Sequence, residues 1–144
     1  MTRSLLSKIP GDQLGFSPAA GLHTVAWNAA HLVDIAGWTP GILKEDGMDL
    51  AEFEGAPDED VAGVPQLLER FDANIEQSVA ALDGVGDEKF DEPWTMKMNG
   101  QELFTMKKGD CLRKWVFSHT AHHRGILSTY VKLAGVEIGS IYGE

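Results

Sequence analysis

The chain has a single cysteine, Cys111, among 144 residues. That rules out an internal disulfide framework, so the fold must rest on a buried core. It also lacks any apolar run near the roughly 20 residues a membrane-spanning helix needs. The opening MTRSLLSKIPGDQ holds no apolar stretch long enough for a secretory signal. Positive charge is scarce: 12 Lys and Arg stand against 22 Asp and Glu, a formal charge of −10. Nucleic acid, a polyanion, repels such a chain at long range. These lacks predict a cytoplasmic protein with neither a membrane nor a nucleic-acid partner.

What is present suffices for one domain, residues 1–144, with an ordinary apolar fraction of 43%. Thr2 to Ile9 allows about two helical turns before Pro10 and Gly11. Leu22 to Leu43 reads as a long helix, with Gly37 and Pro40 weakening its end near Thr39. Glu45 to Val61 is an acidic connector without Lys or Arg, expected to be a solvated loop. Val64 to Leu82 carries Leu67, Leu68, Phe71, Ile75, Val79 and Leu82 at helical spacing, which predicts a third helix burying that stripe. Trp94–Met98 and Gln101–Met106 flank Asn99-Gly100, the turn pair that tolerates positive φ, and so read as a two-stranded hairpin. Asp110 is the expected N-cap of a last helix, Cys111 to Leu133, with Gly135 at its C-terminal turn. The remainder, Val136 to Glu144, reads as an irregular tail. The sum is an all-α, up-and-down four-helix bundle with a small hairpin insert before the last helix and a shortened first helix.

The chemistry gathers in WVFSHTAHHRGILSTY, Trp115 to Tyr130, which holds three of the five histidines. On a helix, His119 and His123 lie about 40° apart, one turn on; His119 and His122 lie about 60° apart. Either pair can aim two imidazoles at one point, half of a common zinc site. A third ring can come from His31 in the second helix. Trp27, Asp34 and Trp38 sit at −4, +3 and +7 from it and share its face. Three imidazoles with no fourth protein ligand describe a catalytic site rather than a closed structural one. Zinc is the first candidate, and nickel also accepts imidazole. Such an ion lowers the pKa of a water or thiol.

N-A-A-H-L at Asn28–Leu32, G-Q-x-L-F-T at Gly100–Thr105, H-T-A-H-H-R-G at His119–Gly125 and the ending I-Y-G at Ile141–Gly143 resemble the DinB/YfiT-like superfamily. The likeness runs from about Phe16 to Gly143. It implies a four-helix bundle with a divalent metal on His31, His119 and His123, which selects His123 over His122 on family grounds. Characterised relatives include metal-dependent transferases of low-molecular-weight thiols and a thiol-dependent isomerase. The resemblance therefore implies a small-molecule substrate and activation of a thiol or water. The alternative is a metal-binding stress or scaffold protein without turnover. The short Thr2–Ile9 departs from the family's long first helix. It leaves a bundle face for a short helix or a second subunit to cover, and the expected assembly is a homodimer.

Other residues carry narrower expectations. Asp34 either accepts the second ring N–H of a ligating histidine or is a solvent-facing helix residue. Trp27, Trp38, Trp94, Trp115 and Tyr130 are candidate pocket walls, and His122 is a rim or substrate contact. Arg124 is expected to meet an acidic substrate group or a bundle carboxylate. Cys111 reads as a buried small residue, not a nucleophile.

Overall fold

The computed structural model describes residues 1–52 and 61–140. Glu54, Asp58, Glu59, Asp60 and the I-Y-G ending lie outside the described residues. The order is α1 (Thr2–Leu6), α2 (Val25–Ala36), α3 (Trp38–Lys44), β1 (Gly47–Asp49), α4 (Val64–Asp83), β2 (Pro93–Met98), β3 (Gln101–Lys107), α5 (Lys108–Cys111) and α6 (His119–Leu133). The winding between α5 and α6, Leu112–Ser118, is a π-helix, so one helix runs from Lys108 to Leu133 with a widened middle. The chain is thus mostly helical with a small three-stranded sheet. Among the described residues no helix is long and apolar enough to cross a membrane.

The expected Leu22–Leu43 helix is two helices, broken at Gly37 rather than at Pro40. The break is built from α4. Asn74 Nδ2 donates to the Val33 carbonyl at 2.8 Å and Ser78 Oγ to the Ala36 carbonyl at 2.6 Å. In an unbroken helix the Val33 carbonyl would bond Gly37 N, and the Ala36 carbonyl would face Pro40, which has no N–H to give; Asn74 and Ser78 supply the donors instead. Pro40 then falls in the first turn of α3, where its missing N–H costs nothing.

The acidic connector is not all loop. Gly47, Met48 and Asp49 pair in parallel with Thr95, Met96 and Lys97, adding a third strand to the hairpin. A Cβ on Gly47 would collide with the Thr95 carbonyl, so only glycine lets β1 approach so closely. Asp49 then caps the hairpin tip: Oδ1 accepts from Asn99 N at 3.0 Å and Oδ2 from Gly100 N at 2.6 Å. Asn99 and Gly100 both have positive φ, as the turn requires.

Asp110 is not the N-cap of the last helix. The helix begins three residues earlier than expected, with Lys107 at the cap and no side-chain bond there. Lys108 fixes the start. Its side chain is fully buried, and Nζ donates to the Leu43 carbonyl, Glu92 Oε2 and Asp46 Oδ1 at 3.1, 3.0 and 3.3 Å. Asp110 instead lies in the first turn, where a negative charge suits the helix dipole.

Two apolar clusters hold the chain. One joins α1, α2, α4 and α6 through Leu6, Leu32, Val33, Leu67, Leu127 and Val131, each fully buried. Each such side chain contributes about 1.5–3 kcal/mol. The other joins Ile35, Leu43, Trp94, Met96, Cys111 and Leu112 under the sheet. The α4 stripe is only half buried. Leu67 and Phe71 are in the core, whereas Ile75 and Val79 are exposed.

Candidate metal centre

Thr24 opens α2 as its N-cap, accepting from Trp27 N at 3.0 Å, and this sets the phase of the helix that carries His31. Across from it, α6 presents His119 and His123 one turn apart. Nε2 of His31 and Nε2 of His119 are 3.5 Å apart. Two nitrogens bound tetrahedrally at zinc distances would be ~3.4 Å apart. Ring centroids are 4.4 Å apart for His31–His123, 5.1 Å for His31–His119 and 4.6 Å for His119–His123. The planes cross at 80°, 74° and 63°, so the rings converge as a tripod and do not stack. A ring nitrogen from each lies within 4.8 Å of the others, so this set could hold a metal ion.

The electrostatics suit ligation. Burial, reinforced by the neighbouring imidazoles, pushes His31 and His123 down to about 4. His119 is lowered chiefly by burial, against an opposing pull from the Trp115 carbonyl. All three rings are therefore neutral near pH 7, with lone pairs to offer. Nδ1 of His123 is buried without a hydrogen-bond partner. Neutral imidazoles that converge on one point bring nitrogen lone pairs together, a repulsion that a cation between them would relieve. The chemistry of this donor set fits a divalent ion.

Indoles wall the tripod. Trp27 lies over His31 at 5.0 Å, and Trp38 meets His31 at 5.7 Å and His119 at 5.5 Å. Trp115 stands edge-on to His119 at 6.2 Å and stacks on Phe104 of the hairpin. The expected face of Trp27, His31 and Trp38 thus survives the break at Gly37. Asp34 also reaches away from this face. Its Oδ1 accepts from Arg70 Nη2 at 2.9 Å, tying α2 to α4. Arg124 reaches Thr2 Oγ1 of α1 at 3.4 Å. Trp94 is buried in the sheet-side cluster, and Tyr130 packs against the other one, so neither walls the site. His122 is exposed, its ring 5.0 Å from that of His123 and outside the converging set. Burial raises Cys111 to about 11, which leaves its thiol protonated and inert.

Two features escaped the sequence. His23 lies flat on Trp27, centroids 3.6 Å apart and planes within 6°, extending the wall outward; its position four residues before Trp27 was the available signal. The π winding of Leu112–Ser118 delivers Trp115 and His119 to the site. Such windings recur at functional sites, but apolar periodicity does not announce them.

Solved structures share the fold. A DinB-like protein from Bacillus subtilis has a similar structure, with a TM-score of 0.72 at 21% identity, covering 99% of this chain and 90% of its own. A DinB-like protein from Bacillus cereus is similar at 0.70 and 19%, covering 98% and 88%. No curated protein matches. The DinB superfamily profile matches residues 1–127, and the chain belongs to that superfamily.

Proposed function

We propose that the chain is a metal-dependent enzyme, a single domain over residues 1–144 acting on a small-molecule substrate in the cytoplasm. In this reading His31, His119 and His123 hold one divalent ion, zinc first and nickel second. The observation that carries it is the 3.5 Å approach of two Nε2 atoms between neutral, half-buried imidazoles. With three protein ligands, an ion there supplies an open position and Lewis acidity, which lowers the pKa of a thiol or a water. The chain's own residues do the rest. The imidazoles would hold and orient the ion, and Trp27, Trp38 and Trp115 shield the site from water and offer apolar surface to an electrophile. The reaction is thiol transfer to an electrophile, or hydrolysis. The helices are read as an up-and-down four-helix bundle whose first member is reduced, and the assembly as a homodimer.

Metal content of the purified protein, a chelator melt and turnover with a low-molecular-weight thiol test this together. The expectation is about one ion per chain, a chelator-induced drop in Tm and thiol-dependent consumption lost in His119→Ala. Metal-free protein with an unmoved Tm would sink the metal. Stoichiometric metal without turnover would leave a binding protein.

A further inference from the structure

Three exposed basic side chains touch the rings of the site. His23 lies flat on Trp27, and His122 stands 5.0 Å from His123. Lys114 Nζ lies 5.1 Å from the centre of the Trp115 ring and 5.9 Å from that of Phe104. Among the described residues none of the three is paired with a carboxylate. The chain has 22 acids for 12 Lys and Arg, and elsewhere its cations find them: Arg3 binds Asp72, Arg70 binds Asp34 and Lys107 binds Asp91.

Lys114 is held by another force. The face of an aromatic ring attracts an ammonium without neutralising it, whereas a carboxylate does both. The methylene stem lies along apolar surface while the charged head stays in water. The charge is thus positioned and still unmatched. It also stands near the tripod: steps of 5.1 and 6.2 Å lead from Nζ through Trp115 to the His119 ring. His23 and His122 add ring N–H groups, so all three residues offer donors.

We propose that Lys114 determines specificity for an anionic low-molecular-weight thiol, taking its carboxylate while the sulfur is directed at the tripod. This rests on the thiol reading above and names the class of thiol. A neutral thiol engages the tripod alone, whereas an anionic one also matches the ammonium. The remaining acids of a −10 chain oppose an anion at long range. Salt screens that repulsion beyond about 10 Å at 0.1 M, and a contact at Lys114 is screened far less. One indole lies between the ammonium and His119. The carboxylate must therefore stand about two to three residue lengths, ~7–10 Å, from the sulfur, which calls for a thiol of peptide size.

Calorimetric titration of the metal-loaded full chain tests this, with metal content measured alongside. The probes are glutathione, an anionic tripeptide thiol, and its diethyl ester, which keeps the thiol and masks both carboxylates. Wild type is expected to bind glutathione at least about tenfold more tightly than the ester. Lys114→Met keeps the stem on the ring and erases that ratio, whereas Lys114→Arg retains it. Metal content and ester affinity stay at wild-type values in both variants, a split that a merely structural lysine would not give. Raising salt from 50 to 500 mM narrows the wild-type ratio. A wild-type ratio near one, or a ratio that survives Lys114→Met, overturns the role of Lys114 and leaves the metal reading standing. A chain that takes up no metal and binds neither thiol overturns both.

Discussion

His31 and His119 come from elements 88 residues apart in sequence, yet their Nε2 atoms stand 3.5 Å from each other. Two neutral imidazoles that close share either a proton or a cation. Addition of His123 to the same cluster favours the cation, because a single proton bridges only two nitrogens.

His123 and His122 separate by experiment. His123→Ala removes a converging ring and is expected to cut metal content at least tenfold, the usual scale for loss of ligation geometry. His122→Ala removes an exposed ring outside the set and is expected to leave metal content unchanged. Elemental analysis after identical purification reads both. Equal loss in the two variants would move the site outward by one residue.

The metal-free protein should weaken in acid. His31 and His123 have folded pKa values of about 4, below the ordinary 6.5. Between those values the unfolded chain binds more protons than the folded one, so stability rises with pH across that window. Thermal melts after chelation are expected to show Tm falling from pH 7 towards pH 4, where these histidines cease to contribute. His31→Gln with His123→Gln should flatten that slope. Added metal should raise Tm most at the neutral end, where protons compete least for the rings.

The clustering of these histidines was legible because helical spacing survives in sequence, but spacing left His122 and His123 open and the resemblance chose between them. The hairpin was legible because Asn99-Gly100 admits few other turns, and its strand ends fell within a residue of expectation. The α4 span was legible from its apolar period, but that period does not say what covers each turn. Ile75 and Val79 fit the stripe and still lie open. Gly37 and Pro40 both looked able to end a helix, and the choice came from Asn74 and Ser78 on another helix. Nor does a local pattern show that Asp34 binds Arg70, 36 residues away.

Lys108 anchors the start of the last helix. Its burial penalises the charged form, but bonds to Glu92 and Asp46 outweigh this and hold its pKa above the ordinary lysine value. Its stabilising contribution is then complete below about pH 10.5 and lost as pH rises through the folded value. Lys108→Met keeps the aliphatic stem and orphans the Leu43 carbonyl, for an expected loss of about 1–3 kcal/mol. Glu92 is partly exposed and regains water, which limits the penalty. Urea unfolding at pH 7 measures it. A loss under about 0.5 kcal/mol would show that the ammonium does not fix this junction.

Gly47→Ala tests whether β1 belongs to the fold's support of the site. The added methyl meets the Thr95 carbonyl, which is backbone and cannot rotate away. Either β1 peels from β2 or the hairpin shifts, at a cost of about 1–3 kcal/mol. Asp49 moves with β1 and releases the amides of Asn99 and Gly100. The hairpin carries Phe104, which stacks on Trp115 beside His119. Displacement should therefore reach the indole wall without touching a ligand. The expected signature is retained metal content, faster amide exchange at Asn99 and Gly100, and a changed Trp115 environment in tryptophan fluorescence, referenced to Trp115→Phe. Unchanged exchange at the turn would show that the hairpin holds without β1.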